Sequence, residues 1–508
     1  MKKVSFVLIS LVLIFFCSCG NSNKSPVDLI PADATFVIRL DSKEVLKKMN
    51  AEANKGEILN ALIPLIGISK STTGKINPEA TVLKSKDSGG IDFEETMYAF
   101  GTSSFDAVSF NLKDAKDFKK ELVLSGIAKE EDITKSKGIE LLNLNNETVF
   151  AWNKHLLLIC KRRPTADVDL QGMAKALFSQ KKENKLTQTE TFKAFLTRNS
   201  DLSIYGSYQL MSNMLANRLG YNIDFSDNMQ GIIPTTYISF NPGEIVAETN
   251  LLYTNKVKEK ELADAVRKIF GSNTGKHLAY FDRLPDAFIT TNINGDNLKE
   301  YLGIDGLSKQ IGKIPFLNLN MLISNLNGDL TCTLAPDTSG KAEISYILID
   351  MKSREAIDGM LTQLSQPSFQ IIKKIGENSY QLPASDYTIG IKDNLLYCTK
   401  DQSFQTKNIS MTNVVDPAIL EQIKNSKIFI YGNSQSILSL TKQQVQDANS
   451  INLISGALAL CQNYTVTVSE KMDIDMKLIL TDKTHNSLAV LMQYMKKVNA
   501  GSVNSNLQ

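Results

Sequence analysis

Short apolar strands and amphipathic helical stripes alternate along the chain. Residues 34–40 form an apolar run after a proline, which is typical of a strand, and the next stretch carries Val45, Leu46 and Met49 on one helical face. Farther along, residues 152–157 place a polar turn between two apolar runs, which predicts a hairpin. Because hairpins join most of the strands and helices lie between them, the pattern predicts an α+β fold with antiparallel sheet.

The order of these elements repeats along the chain. The opening strand pattern of residues 31–40 recurs at residues 285–293, and residues 198–209 match residues 424–435 with six identities in twelve positions and no gap. Both matches run in the same order, which is the signature of an internal duplication. We therefore predict two tandem units of similar structure, each mainly antiparallel sheet with flanking helices.

A second set of matches keeps a constant offset. The helical stripe of Phe118 and the hairpin at Trp152 recur 239 residues later, at Ile357 and Ile391. A basic helix end closed by glycine is expected in both copies, in the second at Gly501. The first repeat unit is predicted at residues 28–272 and the second at residues 276–508.

The amino-terminal segment has the pattern of a secretory leader, with a basic start and an apolar stretch of about a dozen residues. Ser18 is the small residue that acylation of Cys19 requires before it, although Phe16 stands where leucine is usual. We therefore expect residues 1–18 to be a signal peptide, Cys19 to be lipidated, and the polar residues 19–27 to form a tether. A plain signal peptide next to a coincidental cysteine is the alternative.

Charge and hydropathy narrow the classes of partner. The chain has 56 Lys plus Arg against 54 Asp plus Glu, and the predicted leader holds two of the lysines, so the mature chain is formally neutral. Nucleic-acid binding depends on clustered cations, and no basic block occurs, so no nucleic-acid partner is expected. After the leader no apolar run reaches the roughly 18 residues of a transmembrane helix. The predicted partner is therefore the membrane, reached through the lipid on Cys19.

Several short motifs resemble those of a known group of lipoproteins. They are the opening strand at residues 31–40, Gly-Ile-Asp-Phe at residues 90–93 and Tyr-Ala-Phe at residues 98–100. Together with the leader, they make most of the mature chain similar to the Bacteroidetes lipoproteins grouped as domain of unknown function 4836. The resemblance implies a location in the cell envelope, anchored to the outer membrane and facing the periplasm or the exterior. It implies no activity.

Motifs for catalysis and metal binding are sparse. The three histidines, His155, His277 and His485, are far apart in the sequence, and none has the spacing of a zinc site. A Ser-His-Asp triad can be assembled from residues distant in sequence, but no G-x-S-x-G elbow occurs. We therefore predict no catalytic residue, no metal site and no cofactor.

Three loops resemble ligand loops only in part. Residues 71–75 and 271–277 contain glycine and lysine but lack the spacing of a phosphate-binding loop, so both are interpreted as linkers. Residues 292–296 resemble the start of a calcium loop, but Gly303 occupies the position of its final glutamate. A turn before a helix, capped by Asp296, is the prediction there.

The aromatic and cysteine residues are also expected to have packing roles. Tyr205 and Tyr431 each precede a glycine, and we interpret both as strand ends in preference to ligand-stacking platforms. Trp152 corresponds to Ile391, which indicates apolar packing. Four further cysteines are expected to be free thiols, with one disulfide as the alternative. They are Cys160, Cys332, Cys398 and Cys461.

The copies differ by two insertions in the first, around residues 63–90 and 163–185, the second with a helical stripe. Because function is often grafted onto a scaffold through insertions, these segments and the interface between the units are the predicted recognition surface. Neutral drift in loop length is the alternative. The predicted function is a non-catalytic binding or structural module that recognises an envelope protein or polysaccharide. The alternative is an extracytoplasmic hydrolase with an unrecognised site between the two units.

Overall fold

A computed structural model gives the fold of the chain in two compact units, Met1–Met211 and Ser212–Gln508. Both units combine helices with antiparallel strands, so the predicted α+β class is confirmed. The structure describes residues 25–49, 88–164, 166–206, 231–302, 319–367, 371–383, 385–406, 415–444 and 455–505.

The first unit is a sheet with the strand order β9-β1-β3-β4-β8-β7-β6-β5, in which every pairing is antiparallel. The short strand β2 also pairs with β4. The strands are β1 Phe36–Leu40, β2 Ile91–Asp92, β3 Met97–Gly101, β4 Phe105–Leu112, β5 Ile133–Ser136, β6 Ile139–Leu144, β7 Thr148–Trp152, β8 Leu156–Arg162 and β9 Leu202–Gly206. The helices are α1 Ser42–Lys48, α2 Ala115–Leu124, α3 Leu170–Phe178 and α4 Glu190–Leu196.

The second unit is also antiparallel, with the strand order β10-β11-β21-β20-β19-β12-β13-β14-β18-β17-β16-β15. The strands are β10 Ile232–Asn241, β11 Glu244–Tyr253, β12 Ala287–Asn294, β13 Leu326–Pro336, β14 Ala342–Met351, β15 Lys373–Gly376, β16 Ser379–Gln381, β17 Thr388–Lys392, β18 Leu395–Thr399, β19 Ile428–Asn433, β20 Cys461–Val468 and β21 Ile474–Leu480. The helices are α5 Lys256–Ile269, α6 Gly295–Leu302, α7 Leu319–Asn325, α8 Arg354–Ser365, α9 Pro417–Lys424, α10 Ser434–Gln444 and α11 Ser487–Ser505.

The opening strand of each copy has the same two neighbours. β1 lies between β3 and the Tyr-Gly strand β9, with Val37 opposite Tyr205. β12 lies between β13 and the Tyr-Gly strand β19, with Phe288 opposite Tyr431. The best sequence match in the chain therefore marks strands with equivalent pairing.

The predicted hairpins also occur in matching register. In β7–β8 Trp152 is opposite Leu157, and in β17–β18 Ile391 is opposite Leu396. The predicted limits of the two copies stay a prediction, because the hairpin β10–β11 precedes the limit near residue 272 but belongs to the second compact unit.

The core of the first unit includes the predicted helical stripe. Phe118 and Leu122 of α2 are fully buried. The Phe118 ring packs edge-on against the Trp152 ring, with the centroids 5.3 Å apart. Trp152 is 1% exposed, and its indole N–H donates to Glu140 at 2.8 Å. The packing role predicted for Trp152 is therefore confirmed, and its polar atom has the partner that burial requires.

The equivalent positions of the second unit repeat this arrangement with aliphatic side chains. Ile357 and Leu361 of α8 pack with Ile391 and Leu396 in one cluster. A second cluster is mainly aromatic and includes Phe404, which is fully buried. The same helix-on-sheet contact thus accepts either a tryptophan or an isoleucine at one position.

Two local expectations are wrong. Asn294, not Asp296, caps α6, because its side-chain oxygen accepts the Asn297 N–H at 3.1 Å, while Asp296 pairs with a lysine. Helix α11 does not end at Gly501 but continues to Ser505, since a glycine weakens a helix without necessarily ending it.

We expect Phe118→Ala to lower the free energy of unfolding by about 3–5 kcal/mol, because it leaves a cavity beside Trp152. Urea unfolding followed by the fluorescence of Trp152, the single tryptophan, measures this change. Leu124→Ala on the same helix is the control, since Leu124 is 71% exposed. A loss no larger than that of the control would show that the stripe does not hold the helix to the sheet.

Candidate functional site

A buried histidine lies at the centre of a polar cluster in the second unit. His277 is 1% exposed. Its Nε2 lies 3.2 Å from Asp350 Oδ1, and its Nδ1 lies 3.0 Å from the Thr331 hydroxyl. That hydroxyl is also 3.0 Å from the Thr290 hydroxyl. Because an ionised carboxylate only accepts hydrogen bonds, the Nε2–H group of His277 donates to Asp350.

Donors surround the carboxylate of Asp350. Lys276 Nζ lies 2.9 Å from Oδ2, and the backbone N–H of Asp329 donates to the same oxygen at 2.8 Å. Burial alone raises the pKa of Asp350, but hydrogen bonds from His277, Lys276 and the Asp329 backbone lower it by more, so that its pKa lies below the usual range. The folded chain therefore favours the ionised form.

A buried carboxylate, that of Asp329, ties the segment 271–277 to strand β13. Asp329 is 1% exposed and accepts the backbone N–H groups of Thr274 and Gly275, each at 3.1 Å, and the Thr274 hydroxyl at 2.5 Å. It also accepts the side-chain amide of Asn292 at 2.8 Å. The interpretation of residues 271–277 as a linker is therefore wrong: the glycine and short polar residues that suggested a linker satisfy a buried carboxylate.

The Thr331 hydroxyl, the His277 imidazole and the Asp350 carboxylate are connected in the order of a catalytic triad, but their surroundings do not suit catalysis. Thr331 and His277 are each 1% exposed. The Thr331 hydroxyl already lies between His277 and Thr290, so a substrate carbonyl cannot approach it without unfolding the site. What the cluster does is fix the start of the second copy to its sheet.

The first copy does not repeat this cluster. Thr290 faces Thr331 across β12–β13, and the equivalent pair across β1–β3 is Arg39 and Tyr98. Asn111 stands at the position equivalent to Asp350 by its pairing with β8. The polar cluster is thus a feature of the second copy.

An open cleft of 720 Å³ lies beside helix α3 in the first unit. We call it the α3 cleft. One wall is the turn of residues 31–33, and the other is the end of α3 with the short 3-10 helix Lys182–Asn184. Its lining residues are Pro31, Ala32, Asp33, Ala176, Leu177, Ser179, Gln180, Lys181, Glu183 and Asn184.

Backbone and ion-pair contacts fix the two walls to each other. Ala32 N–H donates to the Asn184 carbonyl at 2.9 Å. The Gln180 side-chain amide donates to the Asp28 carbonyl at 2.7 Å, and the buried Lys185 pairs with the Asp28 carboxylate at 3.3 Å. The two walls of the α3 cleft are therefore held to each other at their base.

The second wall is the predicted insertion. Residues 163–189 connect β8 to α4 over 27 positions, whereas residues 400–416 connect β18 to α9 over 17. Helix α3 buries Leu170, Ala174 and Leu177 and contacts β6, β7 and β8. The insertion is therefore a packed part of the first unit, in a connection that is ten residues longer (27 against 17) than the equivalent one.

The rim of the α3 cleft carries exposed polar groups. The side chains of Asp33, Lys181, Glu183 and Asn184 are exposed, and within the described residues they form no ion pair or hydrogen bond. Groups of this kind can bind a partner without first breaking an internal contact.

The remaining predicted residues have structural roles. Tyr205 is 5% and Tyr431 is 9% exposed, so neither offers a stacking face, and their interpretation as strand positions is confirmed. His155 lies in the exposed turn between β7 and β8, and His485 lies 2.7 Å from Asp482 at the surface.

The four cysteines are free. Cys160 and Cys461 are buried, whereas Cys332 and Cys398 are half-buried. Cys332 and Cys398 lie on the two strands that flank β14, and both are opposite Ile347. Burial raises the pKa of both thiols.

Some predicted features lie outside the described residues. These are the leader with Cys19, the segment 71–75, and the insertion around residues 63–90 except for its last three residues. Within the described part of the chain, no helix is long and apolar enough to cross a membrane. The hydrolase alternative stays a prediction.

The fold defines a class of α+β proteins in which one antiparallel arrangement occurs twice. Residues 27–488 match the family model described as "Domain of unknown function (DUF4836)". The chain belongs to this family, as its short motifs indicated. No curated protein matches it.

Two solved structures show a weak likeness. Crystal form I of TP0453 is 10% identical, covers 49% of this chain and 87% of its own, and has a TM-score of 0.29. Crystal form III of TP0453 is 12% identical, covers 49% and 88%, and also has a TM-score of 0.29. Likeness at this level supports no conclusion about this chain.

We expect Asp350→Asn to lower the free energy of unfolding at pH 7 by about 1–3 kcal/mol, because the charge that holds Lys276 and His277 is lost. A carboxyl with a lowered folded-state pKa stabilises the fold above its unfolded pKa of about 3.9, and this stabilisation is lost as the pH falls through the folded-state value. Urea unfolding at several pH values therefore should show the two proteins converging in acid. A difference that stays constant down to acid pH would contradict the ionised state assigned to Asp350.

Proposed function

We propose that the protein is a cell-envelope lipoprotein that binds an extracytoplasmic partner without catalysis, and that the α3 cleft is its recognition surface. The lipid on Cys19 holds the chain at the outer membrane, facing the periplasm or the exterior. The partner is an envelope protein or polysaccharide.

One observation carries the proposal: the wall of the α3 cleft is built by residues that the second copy does not have. A loop that had only drifted in length would not need a buried face, whereas α3 buries four apolar residues and is fixed at its base. Its outward side presents exposed charges and an amide that make no ion pair or hydrogen bond with the residues that the structure describes. A fixed wall with a free polar rim is the arrangement of a binding surface.

The proposed non-catalytic role is supported by the places in which the titratable residues lie. His277 is buried and lies 3.2 Å from Asp350, and it belongs to the segment 271–277 that Asp329 holds to the sheet. The rim of the α3 cleft has charges of both signs but no histidine or cysteine. Binding through hydrogen bonds and ion pairs suits this composition better than acid–base chemistry.

The lipid anchor is tested by Cys19→Ser in cells fed an alkyne fatty acid. We expect the wild-type chain to be labelled and to sediment with membranes, and the variant to lose both the label and the membrane fraction, because acyl chains provide the attachment. Cys17→Ser is the matched control and should keep both. Labelling of the Cys19 variant would contradict the proposed anchor.

The α3 cleft is tested with a photo-crosslinking residue at Asn184 in living cells. We expect an adduct whose yield falls at least fivefold in Lys181→Glu/Glu183→Lys, because reversed charges at an interface oppose its partner. Digestion of the adduct with protease or with glycosidase distinguishes a protein from a polysaccharide partner.

The matched control is Lys129→Glu/Glu131→Lys, which reverses the same charges at the same spacing in an exposed turn away from the cleft lining. This variant should leave the adduct at Asn184 unchanged. Equal losses in both variants, or no adduct at Asn184, would rule out the cleft as the recognition surface.

A further inference from the structure

A second cleft, of 270 Å³, lies in the second unit beside helix α5. We call it the lysine cleft. It is formed by the end of β11, the first turns of α5 and the connection between β20 and β21. The lining residues are Leu251, Tyr253, Lys256, Glu259, Lys260, Ala263, Lys471 and Asp473.

Because the scaffold is duplicated, the lysine cleft can be compared with the equivalent position in the other copy. β11 and β21 are equivalent strands, and they are followed by equivalent helices, α5 and α11. Because β11 and β21 pair with each other antiparallel, the end of each strand lies beside the turn of the other hairpin. At the α11 side, Leu480 N–H donates to the Gly243 carbonyl at 2.8 Å, and Gly243 N–H donates to the His485 carbonyl at 3.1 Å. The Asn486 amide adds a hydrogen bond to the Phe240 carbonyl at 2.8 Å. These hydrogen bonds close the position that is equivalent to the lysine cleft.

The α5 side is open because its turn is longer. Residues 242–243 connect β10 to β11, whereas residues 469–473 connect β20 to β21. The pairing between β11 and β21 stops at Thr249 and Ile474, so the end of β11 continues past its neighbour. The same scaffold thus carries a closed position in one copy and a cleft in the other.

The longer turn is held in place. Ser469 Oγ accepts the backbone N–H groups of Lys471 and Asp473, each at 3.1 Å. Arg267 of α5 pairs with Glu470 at 3.1 Å and so links the turn to the helix. Lys471 and Asp473 are therefore presented by a structured turn, which lowers the cost of ordering them on a ligand.

The polar groups of the cleft are of two kinds. The ammonium groups of Lys256, Lys260 and Lys471 make no ion pair or hydrogen bond within the described part of the chain. Burial, with the nearby carboxylates of Asp473 and Glu259, raises the pKa of Tyr253 to about 12, so its hydroxyl stays a donor. Donors that suit an anion therefore lie beside two carboxylates that suit hydroxyl donors.

We propose that the lysine cleft binds an acidic saccharide unit, with the lysines on its anionic group and Glu259 and Asp473 accepting hydrogen bonds from its hydroxyls. Leu251 and the Tyr253 ring provide the apolar surface that a sugar ring covers. Small-ligand pockets span about 300–1,000 Å³, so a cleft of 270 Å³, just below this range, suits one or two rings. The two carboxylates oppose a densely anionic surface such as a membrane.

Isothermal titration of the mature chain with trigalacturonate tests the site, with maltotriose as the neutral probe. We expect saturable binding of the acidic trisaccharide and at least tenfold weaker binding of maltotriose. Lys256→Gln/Lys260→Gln/Lys471→Gln should weaken trigalacturonate at least tenfold without changing the melting temperature, because all three side chains are exposed.

The matched control is Lys43→Gln/Lys116→Gln/Lys120→Gln, which removes the same charge from exposed lysines of the first unit. It should change the affinity by less than twofold. Absence of saturable binding, equal binding of maltotriose, or an equal loss in the control would overturn the proposal.

A second variant distinguishes a saccharide from a bare anion. Glu259→Gln/Asp473→Asn should weaken trigalacturonate, since ionised acceptors for sugar hydroxyls are lost. Tighter binding by this variant would mean that only the anionic charge is attracted, and would overturn the assignment. Sedimentation with phosphatidylglycerol vesicles, in the absence of trigalacturonate binding, would overturn it in favour of a lipid headgroup.

Discussion

The central position of the opening strand in each copy is the constraint on which the fold depends. Phe36 faces Gly101 on one side and Gly206 on the other, and Ala287 occupies the same position in the second copy. Buried backbone groups are costly when unpaired, so neither copy is complete until its Tyr-Gly strand has joined. Segments that are far apart in the sequence are thereby held in one sheet, with their helices on its faces.

The same strand pairing accommodates different side chains in the two copies. A tryptophan at residue 152 and an isoleucine at residue 391 occupy the same register, and an arginine–tyrosine pair in one copy replaces a threonine pair in the other. The strands pair in the same way despite these exchanges, provided that each side chain has suitable packing or hydrogen-bond partners. Both clefts occur where the copies differ in the length of a connection, so divergence of the duplicated copies created new surfaces without disturbing the ladders.

Much of the fold could be predicted from the sequence, because hydrophobic periodicity is a local pattern and a repeat is found by comparing segments of the chain. The stripe of Phe118 and Leu122, the two hairpins and the Tyr-Gly strands all follow from such patterns. The buried role of residues 271–277 could not be predicted, because glycine and short polar residues suit an exposed linker and a buried hydrogen-bonded segment equally well. Only the position of Asp329 in space distinguishes the two.

The candidate sites were less accessible to sequence reasoning. The insertion that forms the α3 cleft was predicted from the lengths of the connections, since a count of residues suffices. The lysine cleft was missed, because its charges come from one strand end, one helix and one turn, and isolated lysines give no motif. The signal that could have found it is the unequal length of the two turns, residues 242–243 and 469–473.

The placement of Cys332 and Cys398 on either side of one strand has a chemical consequence. Two inter-strand spacings separate their backbones by about 9.5 Å, which exceeds the roughly 7 Å over which two cysteines can be bridged. Their raised pKa values also keep both sulfurs in the unreactive thiol form. The intervening strand β14 therefore keeps the two thiols too far apart to form a disulfide under oxidising conditions.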